Sequence, residues 1–299
     1  MARFLTTILP TTDGCDNAAL AVRAAVDLAT GTGGDWLDSH FEAARPEYEA
    51  QLRAVGIRPG WHVLDAGCGC GSFLPGLAEL VGPGGRLAAL DLAPDNVALV
   101  ARRVQGWALP CPIAAQAGTV LALPYPDASF DAAWFADTSQ YLTDDELGTA
   151  LAELRRVVRP GGLVAVKEAD PTLDRILPAR PGLLLRFMQA SAAVGVTRAR
   201  GVLRAPALPG WLRRAGLVDV WQRATLIERV APLDPATRAY QRDFLAFFAA
   251  RAGTCGLAAA DRDAWAHFSD PAALDRFLDD PDCALLEGNI LTVGTVPTA

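Results

Sequence analysis

The 299-residue chain contains very little lysine, histidine or methionine. Lys167 is the only lysine among 27 basic residues, and there are three histidines and two methionines. The arginines are scattered along the chain, and the formal net charge is −7. Nucleic-acid binding depends on clustered Lys and Arg. The sequence therefore argues against a nucleic-acid partner.

The chain also lacks cysteine pairs and long apolar runs. None of its six cysteines forms a C-x-x-C pair, so we expect no zinc site and interpret the cysteines as reduced, small apolar residues. No segment approaches the ~20 apolar residues that a membrane span needs. The N-terminal segment has neither the length nor the cleavage site of a signal peptide. We therefore expect a cytoplasmic protein without a membrane partner.

Strand and helix patterns alternate through the first half of the chain. Short buried runs at 63–64, 86–90, 130–135 and 163–166 predict strands, with helical segments between them. Thr143, followed three residues later by Glu146, predicts a helix with a capping box, and residues 159–162 predict a tight turn. This alternation predicts an α/β fold with a doubly wound, mostly parallel sheet.

A glycine-rich segment follows the first predicted strand. Asp65 ends the strand, and Gly67, Gly69 and Gly71 then stand at alternate positions before a helix. Glycines let a ligand approach backbone N–H groups, and a helix N-terminus favours a carboxylate. The G-x-G-x-x-G dinucleotide pattern fails in both registers, and the Lys-Ser/Thr of a P-loop is missing. A turn without a ligand is the alternative interpretation.

A second acidic residue ends the next predicted strand. Asp91 lies twenty residues after Gly71 and precedes Leu92-Ala-Pro94. An acid at this place can accept hydrogen bonds from both hydroxyls of a ribose. It can also simply cap the following helix.

Four stretches together resemble the class I S-adenosylmethionine (SAM)-dependent methyltransferases, especially the UbiE-like, small-molecule (natural-product) branch. They are DAGCGCG at 65–71, DLAP at 91–94, LPYPDASFD at 123–131 and LRRVVRPGG at 154–162. The resemblance covers residues 40–168 well and two later strands more loosely. It implies a Rossmann-like, seven-stranded sheet, SAM as cofactor and S-adenosylhomocysteine as product.

The resemblance also implies which residues bind the cofactor. Asp65 would organise the ammonium group, Asp91 the ribose hydroxyls, and Leu92 would pack on the adenine. The other implied cofactor-binding residues are Gly67, Cys68, Gly69 and Gly71 in the glycine segment, Thr119 and Val120 at the adenine edge, and Ala136 at the front of the cleft. The chain departs from the family at Thr119, where many relatives carry Asp, and at Gln140-Tyr141, where relatives often carry a His pair.

A catalytic base is needed only if the nucleophile must lose a proton. The candidate catalytic residues are His40, Tyr141, Asp137 and Glu168. His40 lies in a helix near the expected cleft mouth, and the other three lie at or beyond the C-terminal ends of predicted strands, where open α/β sheets place their sites. His62 precedes a buried strand and is interpreted as structural. No metal is expected.

The remaining segments are predicted to build a cap over a SAM-binding core. The expected divisions are N-terminal helices at 1–60, the core at 61–170, a cap insertion at 171–209, a core strand at 210–230, a helical lid at 231–286 and the final strand at 287–299. Within 1–60 we predict helices over 13–30 and about 36–55. The lid's aromatic residues, with Trp36, Tyr48 and Phe187, either enclose an apolar pocket or form the cap's own core.

The function expected from these features is methyl transfer from SAM to a small hydrophobic or aromatic metabolite by in-line displacement. The alternative is a SAM-binding enzyme of the same fold that does not methylate, such as a cyclase or pericyclase of secondary metabolism. The accepting atom (O, N or C) and the oligomeric state, a homodimer included, stay open.

Overall fold

A computed structural model describes residues 33–298, with side chains from Leu37 onward. Its centre is a sheet that contains eight strands within these residues. The strands are β1 His62–Ala66, β2 Arg86–Asp91, β3 Ile113–Ala117, β4 Phe130–Ala136, β5 Val158–Ala169, β6 Arg175–Leu177, β7 Val218–Val230 and β8 Ala284–Thr295. The spatial order is β3-β2-β1-β4-β5-β8-β6, and β7 also pairs with β8.

The first five strands in this order are parallel, and β8 runs antiparallel to β5, β6 and β7. The predicted α/β class with a mostly parallel sheet is confirmed. Within the described residues the sheet has one short strand in addition to the seven expected. The additional strand, β6, is three residues long and pairs with the first residues of β8, so no alternating pattern in the sequence marks it.

Helices cover both faces of the sheet. They are α1 Gly33–Ala54, α2 Leu74–Val81, α3 Pro94–Gly106, α4 Asp144–Val157, α5 Leu183–Ala193, α6 Thr197–Leu203, α7 Leu208–Arg214, α8 Pro235–Ala249, α9 Ala259–Ala266 and α10 Pro271–Leu278. Successive strand residues point to opposite faces. Val63 packs with residues of α1, α2 and α3, whereas Leu64 packs with residues of α4 and α7. The doubly wound prediction therefore holds.

Local signals place two of the elements that frame the site. Thr143 and Glu146 form the predicted capping box at the start of α4, so the side chains satisfy N–H groups that have no partner within the helix. The helix expected at about 36–55 is α1, which continues through Pro46. The helix predicted over 13–30 lies outside the described residues.

The turn predicted at 159–162 is a bulge within β5 instead. Val158 pairs with Phe130, and pairing resumes between Leu163 and Ala132. Gly162 is packed so closely that a Cβ there would lie 2.5 Å from the carbonyl oxygen of Asp131. The glycines thus allow the strand to bend without leaving the sheet.

The cap has a core of its own. Ile176, residues of α5, α8, α9 and α10, and Leu285 of β8 form one apolar cluster. In it, Phe187 lies against Phe248 and Trp265, with ring centroids 5.0 and 5.6 Å apart. Phe187 therefore belongs to the cap's core rather than to a pocket wall. None of the described helices is both long enough and apolar enough to span a membrane.

The cap segments differ in detail from their predicted limits. Leu208 and Leu212 of α7 pack in the sheet's core cluster, so the end of the 171–209 segment and the start of 210–230 form a helix on the sheet. The last strand begins at Ala284, within the segment predicted as lid.

Candidate cofactor and acceptor site

The glycine segment between β1 and α2 has the backbone that its composition predicts. Gly67, Gly69 and Gly71 have φ values of +77°, +53° and +85°, a region that residues with a Cβ rarely adopt. The backbone N–H groups of Gly67 and Cys68 both donate to the carbonyl oxygen of Leu90, at 2.7 and 3.0 Å. The segment is therefore tied to the end of β2.

Asp91 joins the glycine segment to the start of α3. Its carboxylate accepts hydrogen bonds from the backbone N–H of Gly69 at 2.8 Å and of Ala93 at 2.9 Å. The side-chain amide of Asn96 donates to the same carboxylate at 3.1 Å. Asp91 thus holds the glycine segment and the turn before α3. The predicted helix cap is not formed, because α3 begins after Ala93 without a side-chain cap.

Asp65 is a buried carboxyl group whose hydrogen bonding is incomplete. It is 2% exposed, and its Oδ2 has no hydrogen-bond partner among the described residues. Burial, with a smaller contribution from the charge of Asp91, raises the pKa of Asp65 to about 8. A buried carboxyl in this state is suited to a cationic partner.

The other residues predicted to bind the cofactor differ in how exposed they are. Leu92 is 65% exposed beside Asp91, where an apolar side chain is available for a ligand. Thr119 is partly buried, and its hydroxyl accepts from the backbone N–H of Leu121 at 3.2 Å. Cys68, Val120 and Ala136 are buried in the apolar clusters of the sheet. Gly71 packs closely against Leu74 of α2 and Val100 of α3.

Two charged side chains meet where β4 and β5 end. Lys167 is wholly buried, and its Nζ donates to both carboxylate oxygens of Asp137, at 2.9 and 2.7 Å. Asp137 has φ +50°, an uncommon conformation for a non-glycine residue, and its backbone N–H donates to the carbonyl oxygen of Lys167. The side chain and the backbone of Asp137 are thus both held by the same lysine.

An aromatic group from α1 and α8 covers this ion pair. Lys167 Nζ lies 3.8 Å from the centroid of the Tyr48 ring, and the Tyr48 hydroxyl lies 2.8 Å from His40 Nε2. The His40 ring stacks on Tyr240, with centroids 4.8 Å apart and planes 18° apart. Burial, then the Lys167 charge, lowers the pKa of His40 to about 4. His40 is therefore a neutral imidazole near pH 7.

The two remaining candidate catalytic residues have different surroundings. Glu168 is fully buried, and it accepts hydrogen bonds from the Ser139 hydroxyl at 2.7 Å and from the backbone N–H of Gln140 at 3.0 Å. Burial is the main cause that raises its pKa. Tyr141 lies at the end of the same short turn, with the Arg198 guanidinium 5.8 Å from its ring centroid. Glu168 thus fixes the turn that carries Tyr141.

The sequence interpretation missed that Lys167 and Tyr48 connect Asp137 to His40. Tyr48 was expected only as a pocket aromatic, and Lys167 only as part of the charge balance. The signal was present, because a single lysine beside Glu168 stood at the end of a predicted strand. In the structure Lys167 contacts both Asp137 and Tyr48, and Tyr48 contacts His40. His62, which was interpreted as structural, bonds through Nδ1 with the Ser129 carbonyl oxygen at 2.9 Å.

Neither disulfides nor metal sites occur in the part of the chain that the structure describes. Cys68, Cys70, Cys111, Cys255 and Cys283 are free thiols, and Cys15 lies outside the described residues. In residues 33–298 no group of three or more His, Cys, Asp or Glu side chains is arranged to hold a metal ion.

Comparison with known proteins identifies the core. Residues 63–162 match the model of a family described as "Methyltransferase domain". A malonyl-[acyl-carrier protein] O-methyltransferase from Pseudescherichia vulneris is 38% identical over 150 residues, which cover 49% of this chain and 54% of that protein. Residues 63–162 therefore form a methyltransferase domain. The predicted cofactor, SAM, agrees with this domain assignment.

Two further matches extend the comparison. A demethylmenaquinone methyltransferase from Symbiobacterium thermophilum is 29% identical over 137 residues, or 46% of this chain and 53% of that protein. The chain therefore spans about half the length of the curated relatives it matches. A solved Bacillus halodurans C-125 methyltransferase shares the fold, with a TM-score of 0.52 at 14% identity, covering 83% of this chain and 98% of that one.

Proposed function

We propose that this protein transfers the methyl group of SAM to a small hydrophobic or aromatic metabolite. The observation that carries the proposal is the arrangement around Asp65, a buried carboxyl with an unpartnered oxygen beside a glycine segment that Asp91 holds in place. A cationic ligand with a ribose fits these groups, because a positive charge beside Asp65 would favour its ionised form and Asp91 can accept from hydroxyls.

The residues fit SAM at each part of the molecule. Asp65 would face the ammonium group, the glycine segment would lie along the methionine backbone, and Asp91 would take the ribose hydroxyls. Leu92, exposed beside Asp91, would pack on the adenine. Bound there, SAM supplies a methyl group on a positively charged sulfur, which is reactive without further activation.

The acceptor would bind at the ends of β4 and β5, beneath α1 and α8. The groups there are the stacked rings of His40 and Tyr240 and the buried ring of Tyr48. Such walls favour a flat, largely apolar acceptor. They also hold the acceptor away from water and in one orientation, which is what a displacement reaction requires of the protein.

His40 is the group best suited to receive a proton from the acceptor. Tyr48 keeps its proton, because burial and nearby carboxylates raise its pKa well above the usual value. Its hydroxyl bonds with His40 Nε2. In the tautomer whose Nε2–H donates to this hydroxyl, the ring orientation is fixed and Nδ1 is the nitrogen with the lone pair that can receive a proton. Asp137, Glu168 and Tyr141 then shape the site around this pair, with Asp137 occupied by Lys167.

The test is a transfer assay with SAM and a panel of phenols, hydroxyquinones and aromatic amines, analysed by mass spectrometry. The proposal predicts a product heavier by one CH₂ unit and an equal amount of S-adenosylhomocysteine. Gly67→Val, with a side chain in the glycine segment, is the inactive control. A product of unchanged mass, formed without consumption of SAM, would indicate the non-methylating alternative instead.

A further inference from the structure

The single lysine of the chain occupies a position that an arginine would not fill in the same way. The chain uses arginine for every other basic side chain, yet residue 167 is lysine and is wholly buried. Lysine presents a compact ammonium, whereas arginine presents a wide planar fork. The compact ammonium of Lys167 lies between the carboxylate of Asp137 and the ring of Tyr48.

The contacts of Lys167 show what that charge does. Two of its N–H groups donate to the two oxygens of Asp137, and its Nζ faces the ring of Tyr48 at 3.8 Å. A cation over an aromatic face is attracted by the ring, and more strongly when both are removed from water. The ammonium therefore joins the end of β4 to helix α1, across the acceptor site.

The next contact leads from Tyr48 to His40. The Tyr48 hydroxyl and His40 Nε2 are 2.8 Å apart, so the position of the Tyr48 ring decides where the imidazole can bond. We propose that Lys167 is a positioning residue, which holds Asp137 and Tyr48 and, through Tyr48, fixes the orientation of His40 toward the acceptor. This inference rests on the proposed function for its catalytic consequence.

Among the described residues, the charged and titratable groups near His40 and Tyr48 come from six elements. They are Tyr48 on α1, Asp137 after β4, Lys167 and Glu168 on β5, Arg198 on α6, Tyr240 on α8 and Glu287 on β8, which bonds to Tyr240. After burial, Lys167 contributes most to the lowered pKa of His40, while Asp137 opposes it and Arg198 adds to it. Removal of the lysine charge alone should therefore make His40 easier to protonate.

The test compares Lys167→Met, Lys167→Arg and the double variant K167M/D137N with the wild-type protein. The His40 titration is followed by NMR, with assignment from His40→Gln, and kcat is measured against pH. Lys167→Met should raise the His40 midpoint, and the acid limb of the kcat profile should move with it. The double variant should raise the midpoint less, because the opposing charge of Asp137 is removed as well.

The loss of kcat should be about 100-fold in Lys167→Arg and Lys167→Met, the size expected when a reacting group is misplaced by about 1 Å. Arg53→Met, which removes an exposed charge from α1, is the matched control and should change neither readout. Lys167→Met leaves Asp137 without its partner and can fail to fold. K167M/D137N leaves no unpaired charge and then supplies the decisive measurement.

Wild-type kcat and an unchanged His40 midpoint in Lys167→Met would overturn the inference. If Lys167→Met does not fold, wild-type kcat in K167M/D137N overturns it. Full activity in Lys167→Arg would show that any cation suffices and would overturn it as well. The NMR titration needs neither cofactor nor acceptor. A failure of methyl transfer in the wild-type protein would therefore count against the proposed function, and not against the contacts that connect Lys167 through Tyr48 to His40.

Discussion

The side chain of Thr138 occupies the space that a β-carbon would need at Gly67. A Cβ built on Gly67 would lie 2.3 Å from Thr138 Oγ1, and the Thr138 hydroxyl donates to the carbonyl oxygen of Ala136 at 2.8 Å. The glycine segment after β1 and the residues after β4 are therefore in direct contact. This contact joins the proposed cofactor site to the proposed acceptor site.

Gly67→Ala should destabilise the protein more than Gly56→Ala does. Both positions have positive φ, which costs an alanine about 1–2 kcal/mol, but a Cβ at Gly56 meets no described atom within 4 Å. Urea unfolding of the two variants separates the steric cost from the backbone cost. Thr138→Gly in the Gly67→Ala background should recover part of the lost stability. Equal stability of the two single variants would contradict the packing described here.

Asp91→Ala should weaken SAM binding roughly 10- to 100-fold, the range expected for loss of hydrogen bonds to a charged group. The variant also leaves the Gly69 N–H without its acceptor, so the glycine segment loses one of its attachments. Asp95→Asn is the matched control, because Asp95 is an exposed acid in the first turn of the same helix. Calorimetry with SAM checks both variants, and unchanged affinity in Asp91→Ala would remove Asp91 from the site.

The sequence predicted the parts of this architecture that local chemistry determines. The capping box at Thr143 depends on a neighbour three residues away, and the positive φ of the glycine segment follows from its own residues. The bulge at 159–162 and strand β6 depend on their partners in the sheet. Their local signals were those of a turn and of a loop.

The acceptor site is harder to predict because its contacts join distant segments. Tyr48 lies on α1 and Lys167 on β5, and only the packing of α1 across the sheet brings them together. Similarly, His40 meets Tyr240 because α1 packs against α8. The sequence indicated His40 and Asp137 as separate candidates but gave no indication that Lys167 and Tyr48 connect them.

Asp65→Asn should become more stabilising relative to wild type as the pH rises from about 4 to 8. The unfolded carboxyl loses its proton near the ordinary pKa of 3.8, whereas the folded carboxyl keeps it until about 8. The unfolded state therefore binds fewer protons in this range, and wild-type stability falls with pH. Asparagine has no such titration. Urea unfolding of both proteins at several pH values measures the difference, and a difference independent of pH would contradict the burial of a strained carboxyl.

His40→Gln should lower kcat about 100-fold or more near neutral pH, the contribution expected of a general base. Tyr48→Phe removes the hydroxyl that orients the ring and should lower kcat less. His267→Gln is the matched control, because His267 is exposed on the cap. Steady-state kinetics with an identified acceptor provide the measurement. Wild-type kcat in His40→Gln would show that the acceptor loses no proton to this residue.

The most direct test of the central claim is calorimetric titration of the purified protein with SAM, S-adenosylhomocysteine and NADH. The proposed site predicts that both adenosyl-sulfur ligands bind with micromolar affinity, and that NADH does not bind. It further predicts that Gly67→Val abolishes both binding events. Absence of binding by SAM and S-adenosylhomocysteine, or equal binding by Gly67→Val, would contradict the assignment of the glycine segment as the cofactor site.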